Sequence, residues 1–295
     1  MFKRVMVAVV GVPFLILVLG WAPAWATMVL LAGMCAIGAW ELMHAVAGEA
    51  GKPLIPLTVL AAVPVCVYLE MSVETAELTA LPQLPLVSIL AAVFVFLVFL
   101  LAIHRYDGDR GIPFAAVTAA IFGALVFPLM LSCLLRLRMV SSIGMLLVFF
   151  PLCISFGSDT CALFAGMLFG KHKLAPKVSP KKTVEGAIGG LLGGVIGMTV
   201  FKLVADSMAH TLTVYPPIEM AAGPQISWRA VFALGIIGST ISQIGDLSFS
   251  VIKREFGVKD YGNLLPGHGG ILDRFDSVTF AAPAVWLVLR CLWVV

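Results

Sequence analysis

The sequence predicts an all-α polytopic membrane protein with about nine transmembrane helices, its chemically versatile residues collected at the cytoplasmic side of the C-terminal half. Three observations carry this prediction. The chain is 61% hydrophobic and only 12% charged, and its mean hydropathy is +1.06, well outside the range of soluble domains. Apolar stretches of roughly 20 residues, the length that crosses a bilayer core, recur with no long soluble insertion. Lysines and arginines gather in alternate short loops, as the positive-inside rule requires of such a layout.

The spans fall near 4–21, 25–46, 54–70, 84–103, 112–135, 142–170, 184–205, 228–254 and 277–295. The basic start, Lys3-Arg4 before an apolar run, has the look of a signal peptide. No small-residue cleavage site precedes a soluble domain, so the segment is expected to stay as the first helix. The span at 54–70 is short and contains Pro64, and Ala22-Pro23 divides the first two. Trp21, Trp25, Trp228 and Trp293 lie near span ends, where an aromatic belt belongs. The six cysteines lie in or beside apolar runs without metal-ligand spacing, which suits packing rather than zinc or disulfides. In the seventh span Gly186, Gly189, Gly190, Gly193, Gly194 and Gly197 form a small-residue face of the kind that packs helices closely.

Charge sets the orientation. With a cytoplasmic N-terminus, 14 of the 19 Lys and Arg residues fall inside, and loops 71–83 and 206–227, which carry none, fall outside. Arg136 and Arg138 alone oppose this arrangement. It places the two charged loops of the second half, 171–183 and 255–276, in the cytoplasm.

The most informative stretch is 239–276. Its first half is apolar enough to span, yet Ser239, Gln243, Asp246, Ser250 and Lys253 step by 4, 3, 4 and 3 and so share one helix face. An intramembrane carboxylate costs roughly 2.5–3.5 kcal/mol on insertion scales, so Asp246 reads as functional. Its second half is glycine-rich and charged. Gly267, Gly269 and Gly270 flank His268 and would let backbone amides approach phosphate oxygens. Asp273 and Asp276 are three apart and point the same way on a helical turn. Carboxylates of this kind, with substrate phosphates, hold hard cations such as Mg²⁺. In so oxygen-rich a site His268 suits a structural or phosphate-contacting role better than metal ligation. Arg274 and Lys253 would balance the remaining phosphate charge.

A second polar stretch covers 155–186. Ser155, Asp159, Ala162, Gly166 and Gly170 share a helix face, and Asp159 is a second intramembrane carboxylate, serving either a packing hydrogen bond or function. Lys171, Lys173, Lys177, Lys181 and Lys182 follow, with Pro176 and Pro180 stiffening the loop. A lipid anchor, worth about 1 kcal/mol per basic residue, accounts for the charge. It does not account for Ser179, Thr183 and Glu185 in the same turn, although Ser179-Pro180 or Thr183 has the chemistry to cap the next helix. Carboxylates interleaved with cations at a cytoplasmic membrane face point to phosphoryl or nucleotidyl transfer on a lipid.

These residues resemble a known family. Ser250-x-x-Lys253-Arg254, Lys259-Asp260 and His268-Gly269-Gly270-x-x-Asp273-Arg274-x-Asp276 are similar, with matching spacing, to the signature of phosphatidate cytidylyltransferases, also called CDP-diacylglycerol synthases. Gln243-x-Gly245-Asp246-Leu247 and Ser179-Pro180-Lys181-Lys182-Thr183-x-Glu185-Gly186 resemble that family too; the first 140 residues match loosely. The resemblance implies an enzyme of phospholipid biosynthesis in the bacterial cytoplasmic membrane. It would join CTP to phosphatidate, giving CDP-diacylglycerol and pyrophosphate. It also implies Asp246 and Asp273 as metal-binding acids, Mg²⁺ as the metal, and a homodimer; no nucleic acid is expected as a partner. On this reading residues 1–295 form one membrane domain, with 1–140 as scaffold and 141–295 catalytic. Asp246, Lys253, Asp273 and Asp276 would be catalytic. Ser179, Lys181, Lys182, Thr183, Ser250, Arg254, His268, Gly269, Gly270 and Arg274 would bind substrate.

Two alternatives compete. A transporter would also use Asp159 and Asp246, but it needs a polar path outward, and 143–153 and 230–238 are almost wholly apolar. Another lipid headgroup transferase, of the CDP-alcohol phosphotransferase kind, would carry an aspartate cluster that this chain lacks.

Overall fold

The computed structural model describes residues 2–78, 86–108, 111–140, 144–212, 227–264 and 269–293. It is helical apart from one short hairpin. In chain order the elements are α1 (Phe2–Ile16), a π-turn (Leu17–Trp21), α2 (Ala24–Val46), α3 (Gly48–Gly51), a 3₁₀ turn (Lys52–Leu54), α4 (Ile55–Leu78) and α5 (Leu86–His104). Next come α6 (Phe114–Ile121), a second π-turn (Phe122–Val126), α7 (Phe127–Met139), α8 (Gly144–Leu147) and α9 (Phe150–Phe169). Strands β1 (Lys173–Ala175) and β2 (Ser179–Thr183) then precede α10 (Val184–Leu212), α11 (Trp228–Glu255) and α12 (Leu272–Trp293).

Among the described residues, seven helical stretches are long and apolar enough to cross a membrane, from Ala24–Val46 to Trp228–Glu255. They coincide with the second to eighth spans read from the sequence. The first span is present as the shorter apolar helix Val9–Trp21. The ninth is α12, whose apolar stretch is hemmed in by Asp273, Arg274 and Asp276 at one end and Arg290 at the other. The chain is a polytopic, all-α membrane protein. Pro64 does not break α4, which runs through it from Ile55 to Leu78.

The residues group into two compact units, Met1–Arg136 with Ile252–Phe275, and Leu137–Val251 with Asp276–Val295. In the first, α2 packs on α4 and on the second π-turn. A Cβ on Gly123 in that turn would meet Leu42, Thr58 and Ala39 at ordinary contact distance, 3.4–3.6 Å. Gly38 on α2 makes room for Phe127 and for Leu272 at the start of α12. In the second unit, the glycine face of α10 lies against α9 at backbone contact, as its spacing predicts. A Cβ on Gly157 would stand 2.5 Å from the Gly193 carbonyl oxygen, and one on Gly186 would stand 2.9 Å from that of Ala162. Close approach substitutes van der Waals contact for the hydrophobic force that lipid cannot supply. The hydrophobic core of this unit is built from Leu147, Phe150, Ile154, Met198, Leu234 and Val285 among others.

Candidate active site

The second unit holds one lysine–carboxylate pair, Lys182–Asp246. β1 and β2 pair antiparallel, with Lys173 opposite Thr183 and Ala175 opposite Ser179. Glu185 on the first turn of α10 fixes the base of the hairpin. Its carboxylate accepts the backbone N–H groups of Lys171 (3.1 Å) and His172 (3.2 Å), and the His172 ring meets it at 2.6 Å. Thr183 is buried, and its hydroxyl accepts the Gly186 N–H at 3.1 Å, so it caps α10. Adjacent strand residues face opposite ways, which separates two lysines that the sequence groups together. Lys182 reaches Asp246 on α11, with its ammonium 2.5 Å from the carboxylate; their side chains are 27% and 25% exposed. Lys181 is exposed.

The polar stripe of α11 is consistently engaged. Ser239 is buried against α10, where a Cβ on Gly194 would stand 2.6 Å from its own Cβ. The Gln243 amide donates to the Ala187 carbonyl on α10 at 3.1 Å. The Ser250 hydroxyl donates to Asp246 over 3.4 Å. Ser242, beside the stripe, donates to Ser155 on α9 at 3.1 Å. The Asp159 carboxylate accepts from Ser277 on α12 at 3.4 Å. Asp276 is buried, and its Oδ1 accepts the Ser277 N–H at 2.7 Å.

The first unit holds another pair, Lys253–Asp273. Lys253 donates to Asp273 Oδ1 at 2.9 Å, with side chains 11% and 2% exposed. Asp273 Oδ2 accepts the backbone N–H groups of Tyr261 (2.8 Å) and Gly270 (3.0 Å). The Tyr261 ring centroid is 5.5 Å from the Lys253 ammonium. A charge pair this dry is tolerable only because its remaining lone pairs are also satisfied. Gly269 adopts φ +87°, and a Cβ there would press within 2.9 Å of Asp273 Oδ2. Gly269 therefore lets the backbone wrap this carboxylate. The end of α11 is also fixed. Val258 N–H bonds the Lys253 carbonyl (2.9 Å) and Gly257 N–H that of Arg254 (3.2 Å), with Gly257 at φ +66°. This is a Schellman cap. Arg254 and Arg274 are exposed. His268 lies outside the described residues.

One participant escaped the sequence reading. Glu41 on α2 is 0% exposed, and its carboxylate accepts the N–H groups of Ile271 and Leu272, each at 3.0 Å. The signal was there: a carboxylate inside an apolar span, as costly as Asp246.

Two carboxylates are thus each matched by a lysine. Among the described residues, Lys182 and Ser250 engage Asp246, and Lys253 engages Asp273 Oδ1. No group of three or more His, Cys, Asp or Glu side chains gathers among the described residues. Magnesium is commonly held by one or two carboxylates plus substrate phosphates and water, so these hard oxygen donors fit it.

Fold and site define the class: a polytopic membrane protein with lysine-paired carboxylates on and beside its C-terminal helices. The chain belongs to the cytidylyltransferase family, whose model matches residues 2–292. It is 30% identical over 200 residues to the phosphatidate cytidylyltransferase of Rickettsia bellii, covering 68% of this chain and 81% of that protein. Proteins of the same name in Brucella suis and Bacillus subtilis are 38% identical over 188 residues and 32% identical over 155. The matches cover 64% of this chain and 60% of the Brucella protein, and 52% of this chain and 51% of the Bacillus protein.

Proposed function

We propose that this chain condenses CTP with phosphatidate to give CDP-diacylglycerol and pyrophosphate. The observation that carries the reading is that the family signature supplies both lysine–carboxylate pairs, Lys182–Asp246 and Lys253–Asp273. In the reaction an oxygen of the phosphatidate phosphate attacks the α-phosphorus of CTP. The bond to the β-phosphate breaks, and its electrons leave on pyrophosphate. The nucleophile is already an anion, so no side chain has to remove a proton. The obstacle is repulsion between two phosphate groups, which fixed positive charge lowers most in a water-poor site. Lys182 and Lys253 supply that charge, with the exposed Arg254 and Arg274 near them in the chain as further phosphate contacts. Asp246 and Asp273 would hold Mg²⁺, which supplies Lewis-acid polarisation of phosphoryl oxygens when bound. Their lysines hold both acids in orientation. Ser250 steadies Asp246, and Asp276 lies one turn beyond Asp273.

Because CTP is made in the cytoplasm, loops 171–183 and 255–276 face inward in this reading, in a bacterial cytoplasmic membrane. The enzyme works as a homodimer and needs no nucleic acid. A transporter is the less economical reading, since 143–153 and 230–238, where an outward path would run, are almost wholly apolar. Conversion of labelled CTP into a lipid-extractable product by the purified protein, with phosphatidate and Mg²⁺, tests the proposal.

A further inference from the structure

We infer that Glu41 is a positioning residue for Asp273, acting from a helix that the signature motifs do not reach. The inference rests on the reading of Asp273 as an active-site acid; the clamp itself does not. Glu41 is wholly buried on α2. It accepts two of the N–H groups that open α12, from Ile271 and Leu272, at 3.0 Å each. The first N–H groups of a helix have no partner within it, and a carboxylate there also meets the positive end of the helix dipole. The next N–H upstream, that of Gly270, goes to Asp273 Oδ2. Two carboxylates therefore divide one helix start between them. Glu41 holds its backbone in place, and Asp273 takes the remaining donor.

The glycines around Glu41 fit this arrangement closely. A Cβ on Gly262 would stand 2.5 Å from Glu41 Oε1, and one on Gly270 would collide with both carboxylate oxygens. The carboxylate thus touches both ends of the loop, next to Tyr261 and next to Ile271. Tyr261 and Gly270 are the two residues whose N–H groups hold Asp273 Oδ2. Moving Glu41 would shift both donors together, and with them the orientation of Asp273 toward Lys253. Leu272 is buried beside Gly38, three residues earlier on α2, which fixes the distance between the helices.

The test compares Glu41→Gln, Glu41→Asp and Gly262→Ala with wild type and with Glu49→Gln, an exposed control. Two readouts are taken in detergent: hydrogen exchange of segment 259–273, and kcat and KM for CTP. Gly262→Ala keeps the glutamate but drives a methyl into it, so it tests the contact even where a Glu41 variant folds poorly. The expected result is faster exchange in this segment for Glu41→Gln and Gly262→Ala. A kcat loss of roughly 10- to 100-fold accompanies it, as small misplacements of catalytic groups cause, with KM little changed. Glu41→Asp, which keeps the charge on a shorter arm, recovers part of kcat, and Glu49→Gln matches wild type. Wild-type exchange in Glu41→Gln and Gly262→Ala overturns the clamp. Faster exchange with wild-type kcat overturns the positioning role and leaves Glu41 a purely structural cap. Absence of turnover in the wild-type protein sinks the cytidylyltransferase reading instead, and the exchange data still decide the clamp.

Discussion

Lys182 on β2 and Asp246 on α11 meet at 2.5 Å with about a quarter of each side chain exposed. Lys253 and Asp273 meet at 2.9 Å with almost none of the carboxylate exposed. The same chemistry in two degrees of dryness gives the two pairs different tasks. An ion pair open to water contributes little to stability and can exchange partners with an incoming phosphate. A buried one is destabilising to break, because the abandoned charge stays buried.

Asp246→Asn and Asp273→Asn should therefore differ in stability while both abolish turnover. Asp273→Asn strands Lys253 in a dry site and should cost about 3–5 kcal/mol of folding stability. Asp246→Asn should cost under about 1 kcal/mol. Thermal unfolding beside initial rates checks both. Near wild-type activity in either variant at saturating Mg²⁺ would remove that acid from the metal site.

Lys182 should matter far more than its neighbour. Lys182→Ala should lower kcat/KM roughly 100-fold or more, the scale of losing one preorganised charge at a developing anion. Lys181→Ala, Lys171→Ala and Lys173→Ala should each stay within about threefold, as surface charges on anionic lipid would. Equal, mild losses at all four positions would make the whole cluster a membrane anchor.

Sequence periodicity made much of this site legible. The steps of 4, 3, 4 and 3 from Ser239 to Lys253 identify a helix face, and an intramembrane Asp246 demands a partner. Each of those side chains does meet another polar group. Thr183 illustrates what spacing leaves open. Substrate contact and helix capping fit the same residue type, and the Gly186 N–H shows that it caps. The alternation that separates Lys181 from Lys182 needs the hairpin, which Pro176 and Pro180 disguise as a loop. Glu41 was legible as a costly carboxylate, but the contact it makes lay beyond reach for another reason. Its partners are 230 and 231 residues away, and no local pattern encodes so distant a contact.

The α11 cap gives a backbone test. Gly257 sits at φ +66°, where an L side chain costs about 1–2 kcal/mol. Gly257→Ala should lose about that much stability, and it should lose activity as well, because the cap holds the Lys253 carbonyl. Gly108→Ala, at φ +54°, should lose similar stability and keep its kcat. Equal kcat in the two variants would dissociate the cap from the site.

Orientation can be read by labelling. In a background without native cysteines, a cysteine at Lys177 or Asn263 should resist an impermeant thiol reagent in intact cells. One at Pro217, outside the described residues, should react. The reverse pattern would put the phosphate-handling residues on the wrong face for CTP.

The most direct measurement is turnover itself. Purified protein in detergent, given CTP labelled in the cytosine, phosphatidate and Mg²⁺, should transfer the label to an organic-extractable lipid and release one pyrophosphate for each molecule formed. Omitting phosphatidate, adding excess chelator or substituting Asp246→Asn should each abolish the product. Well-folded wild-type protein that leaves all the label in the aqueous phase, or transfers it equally well in the Asp246→Asn variant, would contradict the assignment.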